Sequence, residues 1–342
     1  MRIHEVAARL AGWLLLPLVA CTSPGQVSPA PAAAATATVA PIAQAIDLLR
    51  VADSQLHQPL VFIVYGDMRF TDSRERVASN PGPRQALVAG IAKERPDAVF
   101  LTGDVPWHGG SADDYHVYRE ETAAWRAQSL HVYPALGNHE FQQCAEDDCL
   151  QNWWTAFPEL RGRRWYRVAL GTRVRALLLD SNSSLLSGSE QASWLEHQFA
   201  QLDPSVGLVL ILLHHPPYTD ATEGSRPNEQ ALSAYLASLA HQPSSPRILV
   251  CGAHVHNYER FEHDDITYLV SGGGGAKPSA VRRSPAALYQ DQPFPNFHYL
   301  RFELDGDRLK GEMHRLNDFD AAAPGSWTIN DRFELTLPAR GR

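Results

Sequence analysis

From residue 58 onwards, short apolar runs alternate with segments in which apolar positions have helical spacing. A run that is apolar throughout predicts a strand covered on both faces, because a half-exposed strand would alternate polar and apolar residues. Five such runs are VFIVYG, AVFLTG, YPALG, LVLILL and ILVCGA. The segments 83–97 and 187–202 predict helices between strands, the second beginning with Ser187 and Glu190 in capping-box spacing.

Two further pairs of runs predict β-hairpins. One turns at Gly171 and Thr172, and the other turns at Asp305 and Gly306, which are residue types that favour tight turns. No internal repeat or change of composition marks a second folded domain. We therefore expect residues 46–342 to form one α/β domain of two packed mixed β-sheets flanked by helices.

The first 45 residues have a different composition from the rest of the chain. Residues 1–20 contain LAGWLLLPLVA, an apolar stretch that is too short to span a bilayer and is typical of a signal peptide. The motif LVAC resembles the lipobox of bacterial lipoproteins, which implies cleavage before Cys21 and lipidation of its thiol. An ordinary secretory signal with an incidental cysteine is the alternative. Residues 21–45 are rich in Pro and Ala and predict an extended tether.

Export therefore follows from either interpretation, and lipidation would anchor the protein to a membrane, facing the periplasm or the cell exterior. In an oxidising compartment, Cys144 and Cys149 of CAEDDC are expected to form a disulfide bond. Two free thiols or a metal clip are the alternatives.

The formal charge of −8 and the lack of a basic run argue against a nucleic-acid-binding surface.

Each of the five apolar strands ends in side chains that can bind a metal ion. These are Asp67, Asp104, Asn138 with His139, His214 with His215, and His254 with His256. Taken singly, each has an ordinary explanation as a turn or surface residue. Since ligands of α/β sheets bind at the carboxyl ends of strands, we expect these side chains to converge.

The ordered motifs GD, GD, GNHE, LLHHPPY and AHVHNYER resemble the calcineurin-like metallophosphoesterase superfamily, and in particular its purple-acid-phosphatase-like branch. The resemblance runs from about residue 58 to about residue 316. It implies hydrolysis of phosphoesters by water that two divalent ions activate together. Mixed nitrogen and oxygen ligands suit Zn, Mn, Fe or Co.

The resemblance also implies a role for each polar side chain. The expected ligands are Asp67, Asp104 and His256 for the first ion, and Asp104, Asn138, His214 and His254 for the second ion. Asp104 would bridge the two ions. His139 would face the substrate, either as a phosphate contact or as proton donor to the leaving oxygen. His215 would support the ligands from behind.

The sequence departs from this family at two positions beside the first ion. Arg69 stands where many members have the His of DxH, and Trp107 stands where purple acid phosphatases have the Tyr of GDxxY. Neither side chain can bind a metal, so the first ion should bind more weakly unless water or His108 fills the position. We interpret Arg69 as a catalytic group that stabilises charge on the phosphoryl oxygens. Alternatively, Arg69 points away and pairs with a surface carboxylate such as Asp72.

Together these features predict an exported, membrane-anchored metallophosphoesterase that acts on small phosphorylated substrates, with phosphomonoesters favoured. One alternative is a phosphodiesterase of the same fold. Another is a catalytically weak lipoprotein that binds metal or phosphate. His139 argues against the weak binder, because binding alone needs no proton donor.

Overall fold

The computed structural model describes residues 48–243, 245–289, 293–318 and 325–338. The predicted signal peptide and tether, including Cys21, lie outside these described residues. The helices are α1 (Pro81–Glu94), α2 (Ala112–Glu121), α3 (Ala123–Ala127), α4 (Glu146–Ala156), α5 (Glu190–Ala200) and α6 (Pro227–Ala240). The strands are β1 (Leu48–Val51), β2 (Leu60–Tyr65), β3 (Ala98–Leu101), β4 (His131–Pro134), β5 (Tyr166–Leu170), β6 (Val174–Leu178), β7 (Leu208–Leu212), β8 (Arg247–Gly252), β9 (Tyr258–His263), β10 (Ile266–Ser271), β11 (His298–Asp305), β12 (Arg308–Leu316) and β13 (Trp327–Thr336).

The strands form two mixed sheets, one with the order β1-β5-β6-β7-β8-β10-β9 and the other with the order β13-β12-β11-β2-β3-β4. In the first sheet, β6, β7, β8 and β10 run parallel, whereas β5 and β9 are antiparallel to their neighbours β6 and β10. In the second, β2, β3 and β4 run parallel and β11, β12 and β13 continue antiparallel. The predicted fold of two mixed sheets with flanking helices is confirmed.

Strand β7 shows why its sequence is apolar throughout. Side chains alternate between the two faces of a strand. Leu210 on one face belongs to a core cluster that also contains Phe62 of the other sheet. Ile211 on the opposite face packs in a second cluster with Leu195 of α5 and Leu236 of α6. Both faces of β7 are therefore covered, one by the second sheet and one by helices.

Several predicted boundaries differ from the structure by one to three residues. Helix α1 spans Pro81–Glu94 rather than residues 83–97. Ser189 caps α5, because its Oγ accepts a hydrogen bond from a backbone N–H of the first turn, so the helix does not start at Ser187. The β11–β12 hairpin turns at Gly306 and Asp307 rather than at Asp305 and Gly306. Gly306 has a φ of 61°, a left-handed conformation that glycine adopts without strain.

The predicted disulfide bond between Cys144 and Cys149 is present. It closes the start of α4 onto the polypeptide that follows His139. Cys251 is a buried free thiol, and burial raises its pKa. Within the described residues, no helix combines the length and the apolar character needed to cross a membrane.

Candidate metal centre

The carboxyl ends of five strands carry the side chains predicted to bind metal. They are Asp67 after β2, Asp104 after β3, Asn138 after β4, His214 after β7, and His254 with His256 after β8. Although β2 to β4 belong to one sheet and β7 and β8 to the other, short distances join the two groups. His214 Nε2 lies 3.3 Å from Asp104 Oδ1, and the His254 backbone N–H donates to Asp67 Oδ2 at 2.8 Å. The two sheets thus bring these side chains together at one edge of the molecule.

The backbone at this edge is strained. Asp67, Arg69, Asp104 and His254 have φ values of 61°, 49°, 55° and 69°, in the left-handed region that costs a non-glycine residue about 1–2 kcal/mol. Hydrogen bonds between the loops hold this conformation, for example from the Arg69 backbone N–H to the Asp104 carbonyl at 2.9 Å. Strain concentrated in a few adjacent residues is typical of a ligand site.

His214 is the centre of a cluster of electron-pair donors. Its Nδ1–H donates to the Thr102 carbonyl at 2.9 Å, so in the neutral ring Nε2 is the nitrogen that carries the lone pair. That Nε2 lies 2.9 Å from Asn138 Oδ1 and 3.3 Å from Asp104 Oδ1, while His254 Nδ1 lies 3.1 Å from the same Asn138 oxygen. Burial and, to a smaller extent, the neighbouring His214 lower the pKa of His254 to about 4. His254 Nδ1 also lies 3.2 Å from His214 Nε2, so nitrogen and oxygen atoms that can bind a metal ion converge on one position.

Asp67 and His256 form the second cluster. Asp67 Oδ1 and His256 Nε2 lie 3.6 Å apart, and both are buried with no hydrogen-bond partner in the described part of the chain. His256 Nδ1–H donates to the Lys277 carbonyl at 2.7 Å, which directs the Nε2 lone pair towards Asp67. Burial lowers the pKa of His256, but Asp67 outweighs burial and raises the pKa overall. A proton therefore competes with a metal ion for this position.

The two clusters are close enough to share a ligand. Candidate ligand atoms of Asp67, Asp104 and His214 all lie within 4.8 Å of one another, and so do those of His214, His215 and His254. Imidazole nitrogen with carboxylate and amide oxygen is a ligand set for divalent transition metals. The residues present therefore fit a centre of two metal ions, with Asp104 belonging to both sides.

Arg69 turns towards this centre. Its Nη2 lies 3.2 Å from Asp104 Oδ2, while Arg74 forms the ion pair with Asp72. The guanidinium carbon of Arg69 lies 5.1 Å from the centre of the Trp107 ring, a distance at which a cation–π contact is favourable. The alternative pairing of Arg69 with Asp72 is therefore not adopted.

His139 also contacts Trp107, the ring that Arg69 lies over. Its ring stacks on Trp107 with centroids 4.7 Å apart, and its Nδ1–H donates to the Trp107 carbonyl at 2.6 Å. Its Nε2 then faces Asp104 Oδ2 at 3.7 Å, the oxygen that Arg69 also contacts. Burial lowers the pKa of His139, although Asp104 acts in the opposite direction. Trp107 thus holds two groups that can act on a substrate.

Glu140 is a part of the site that the sequence did not predict. Its Oε2 accepts hydrogen bonds from the backbone N–H groups of Asp104 and Gly137, at 3.0 and 2.7 Å, and its Oε1 accepts from Val105 at 2.8 Å. Burial and the charge of Asp104 raise the pKa of Glu140 to about 8. The sequence signal that could have revealed this role is the acid directly after His139 in GNHE. An acid that is buried at the end of a strand needs hydrogen-bond donors around it.

The segment after β6 supports the centre from behind. Ser181 Oγ and His215 Nδ1 share a hydrogen bond of 2.8 Å, and Asn182 Nδ2 donates to the carbonyl of Gly137, the first residue of GNHE, at 3.2 Å. His108 is not brought to the ligand cluster. Its Nε2 accepts from the Gln143 side-chain amide at 2.9 Å, so it does not fill the position beside the first ion.

The family is established by the sequence over most of this domain. Residues 60–258 match the family model for calcineurin-like phosphoesterases. This is more than half of the chain. The chain belongs to the calcineurin-like phosphoesterase family.

Proteins similar to this chain include plant and animal phosphatases. Purple acid phosphatase 21 of Arabidopsis thaliana is 24% identical over 283 residues, which cover 76% of this chain and 61% of that protein. A purple acid phosphatase structure from yellow lupin (Lupinus luteus) seeds has a TM-score of 0.66 and 19% identity over 84% of this chain and 55% of that chain. A dimetal phosphatase from Danio rerio has a TM-score of 0.53 and 15% identity, covering 80% of this chain and all of that one.

These similarities are at low sequence identity, and each alignment with a curated relative covers only part of that relative's length. The chain spans about three fifths or less of the curated relatives that it matches. At this level of identity, the solved structures support the fold.

We predict that Glu140→Gln weakens metal binding by about 10- to 100-fold, the usual effect of losing a group that orients ligands. The glutamine amide would place an NH₂ donor against backbone N–H donors, so the loop that carries Asp104 would shift. Calorimetric titration of metal-free protein measures the change. Glu190→Gln, at an exposed position in the first turn of α5, is the matched control. Equal affinity in Glu140→Gln and wild type would show that Glu140 does not orient the ligands.

Proposed function

We propose that this protein hydrolyses phosphomonoesters with the help of two divalent transition-metal ions at the candidate metal centre. The observation that carries the proposal is the convergence of electron-pair donors from both sheets, with Arg69 and His139 beside the same oxygen of Asp104. The ligands would be Asp67, Asp104 and His256 for the first ion, and Asp104, Asn138, His214 and His254 for the second. When bound, the ions would supply an activated water and stabilise the attacking and leaving oxygens.

Arg69 would bind the phosphoryl oxygens. A guanidinium group is always protonated, and its planar fork matches two oxygens of a phosphoryl group. Its side chain is largely buried, with 13% of its surface exposed, so the charge acts where water is largely excluded. A phosphomonoester dianion carries one more negative charge than a diester, and Arg69 would therefore favour the monoester.

His139 would serve the leaving oxygen. Its Nδ1 proton is held by the Trp107 carbonyl, so Nε2 is the atom that can take up a proton and pass it on. This nitrogen faces the centre rather than solvent, since it lies beside Asp104 Oδ2. Such a proton donor favours catalysis over a lipoprotein that only binds phosphate, which is the second candidate function.

The cellular location remains part of the proposal. The sequence LVAC and the Pro- and Ala-rich segment that follows support a lipid anchor on Cys21 and a tether. The domain would then act on small phosphorylated molecules outside the cytoplasm. A phosphodiester substrate is the alternative within the same chemistry.

We predict that the purified protein hydrolyses p-nitrophenyl phosphate faster than its bis ester when Mn, Zn, Fe or Co is added. Arg69→Ala should lower kcat/KM for the monoester by about 10²- to 10³-fold, as expected when one transition-state donor is lost. Arg74→Ala is the matched control, because Arg74 is exposed and pairs with Asp72. Preference for the bis ester would favour a diesterase. Metal binding with no turnover of either ester would favour the binding lipoprotein.

We predict that the two metal ions bind with dissociation constants that differ by at least about tenfold, because the first has one protein ligand fewer. Arg69 should widen the gap, since a nearby cation repels a dication. Arg69→His should tighten the first site, and calorimetric titration of metal-free protein measures both constants. Arg74→His controls for an added histidine. Two indistinguishable sites in the wild type, or no tightening in Arg69→His, would contradict this role.

We predict that Cys21→Ser releases the protein from the membrane fraction without changing its specific activity. The lipid would be attached to the thiol, and the tether would separate it from the domain. Fractionation of cells, followed by activity measurement on both fractions, provides the test. A variant that stays in the membrane fraction would show that Cys21 is not the anchor.

A further inference from the structure

A cavity of about 770 Å³ is connected to the candidate metal centre through Lys277, which lines the cavity and whose carbonyl accepts a hydrogen bond from His256. The cavity takes no part in the reaction described so far. Its lining comes from the segment before α1 and the first turns of that helix, from the segment after β10, and from the segment before β11: Ser73, Arg76, Asn80, Pro81, Gly82, Pro83, Gln85, Lys277, Pro278, Phe294, Pro295 and Phe297. This volume is large enough for a drug-sized organic group.

The topology places the cavity at the edge of the sheet that carries the metal ligands. Helix α1 begins after β2, and β11 is antiparallel to β2. The start of α1 and the start of β11 therefore both lie at the carboxyl end of β2, where Asp67 is located. One stretch of polypeptide, which includes Ala276 and Lys277, contacts the metal ligands, and its Lys277 also lines the cavity. The Lys277 carbonyl accepts from His256 Nδ1 at 2.7 Å, and the Ala276 N–H donates to the Asp67 carbonyl at 2.9 Å.

The charged groups of the cavity are cationic. Among its described lining residues, Arg76 and Lys277 are the ionisable ones, and neither has an ion-pair partner in the described part of the chain. Glu75, next to Arg76, points its carboxylate at the backbone N–H of Val77, at 2.6 Å. The positive charge contrasts with the formal charge of −8 of the whole chain. An anionic group is the complementary ligand.

Beside the polar residues Ser73, Asn80 and Gln85, the remaining lining is apolar and stiff. Phe294, with 51% of its surface exposed, and the buried Phe297 present aromatic rings. Four prolines, at positions 81, 83, 278 and 295, also line the cavity, and proline restricts backbone motion. Such walls favour a flat apolar group over a flexible polar one, because little side-chain or backbone freedom is lost on binding.

We propose that this cavity is the leaving-group subsite of the phosphoesterase, and that it takes an aromatic group carrying a second anionic substituent. The inference rests on the proposed function. In the reaction, the oxygen of water bonds to phosphorus, the ester P–O bond breaks, and one proton of that water is transferred overall to the leaving oxygen. The aromatic ring stays beside Phe294 and Phe297, and its second anionic group stays beside Arg76 and Lys277. Aryl phosphates with a carboxylate or a further phosphate are the substrate class.

Two phosphonates, which contain a P–C bond that the reaction does not cleave, test the subsite by binding alone. Calorimetry on the Mn-loaded full-length protein compares 4-carboxybenzylphosphonate with benzylphosphonate. We expect the carboxylate to tighten binding by about tenfold, as hydrogen bonds to charged groups do. The double variant Arg76→Gln, Lys277→Gln should lose this preference and keep its affinity for benzylphosphonate. Lys93→Gln is the matched control, because Lys93 is exposed in the last turn of α1, at the far end of that helix.

Phe294→Ala should weaken the binding of both phosphonates, because both would pack their ring on Phe294. Equal binding of the two compounds by the wild type, an unchanged preference in the double variant, or no binding of either compound would overturn the subsite. Hydrolysis of p-nitrophenyl phosphate decides the proposed function separately. If that ester is hydrolysed while the carboxylate has no effect, the phosphoesterase stands and the subsite fails. If the preference is found without hydrolysis, the cavity is an anion-binding site and the phosphoesterase proposal fails.

Discussion

Asp104 carries its carboxylate at a position with no exposed surface, and the side chains around it are arranged to stabilise a negative charge there. Burial raises its pKa, but His214, His139 and Arg69 outweigh burial and hold the pKa below the ordinary value. Its Oδ1 accepts from the His139 backbone N–H at 2.9 Å, and its Oδ2 faces Arg69. A buried charge is costly unless it is paired. The donors and cations around Asp104 are therefore a consequence of placing a carboxylate between the two sheets.

The need to place the Asp104 carboxylate between the two sheets also explains the glycines of the GD and GNHE motifs. A Cβ atom at Gly137 would lie 2.4 Å from Asp104 N and Oδ1, too close for any other residue. Gly103 has a φ of 91°, which turns the chain out of β3 immediately before Asp104. Glu140 then holds both loops by accepting three backbone N–H groups. Close approach of two backbones, with no space for side chains between them, fixes the carboxylate where both metal clusters can reach it.

Much of this arrangement follows from local sequence, and some of it does not. Strands covered on both faces are apolar throughout, so β2, β3, β7 and β8 and their polar ends were predictable. Strand β13 has no buried residue and mixes exposed with half-buried ones, so its sequence lacks the apolar run of the central strands. Its place in the sheet comes from pairing with β12. Ser187 and Ser189 are chemically equivalent as caps, and the backbone conformation around α5 selects Ser189. The roles of Glu140 and Trp107 depend on contacts between loops distant in sequence, so a single sequence did not reveal them. The outcome for Arg69 depended on whether Asp72 was already paired, and Arg74 takes that partner.

Arg69 connects the groups on the two sides of Asp104. Its Nη2 lies 3.2 Å from Asp104 Oδ2, and its backbone N–H donates to the Asp104 carbonyl at 2.9 Å, so Asp104 fixes both the side chain and the backbone of Arg69. The guanidinium lies over Trp107, on which His139 also stacks. A fixed positive charge at this position opposes a dication at Asp67 and His256 and favours an anion beside His139. Under the proposed function, a weaker first site and an added phosphoryl contact would therefore be two results of one residue, Arg69, standing at the position of the His of DxH.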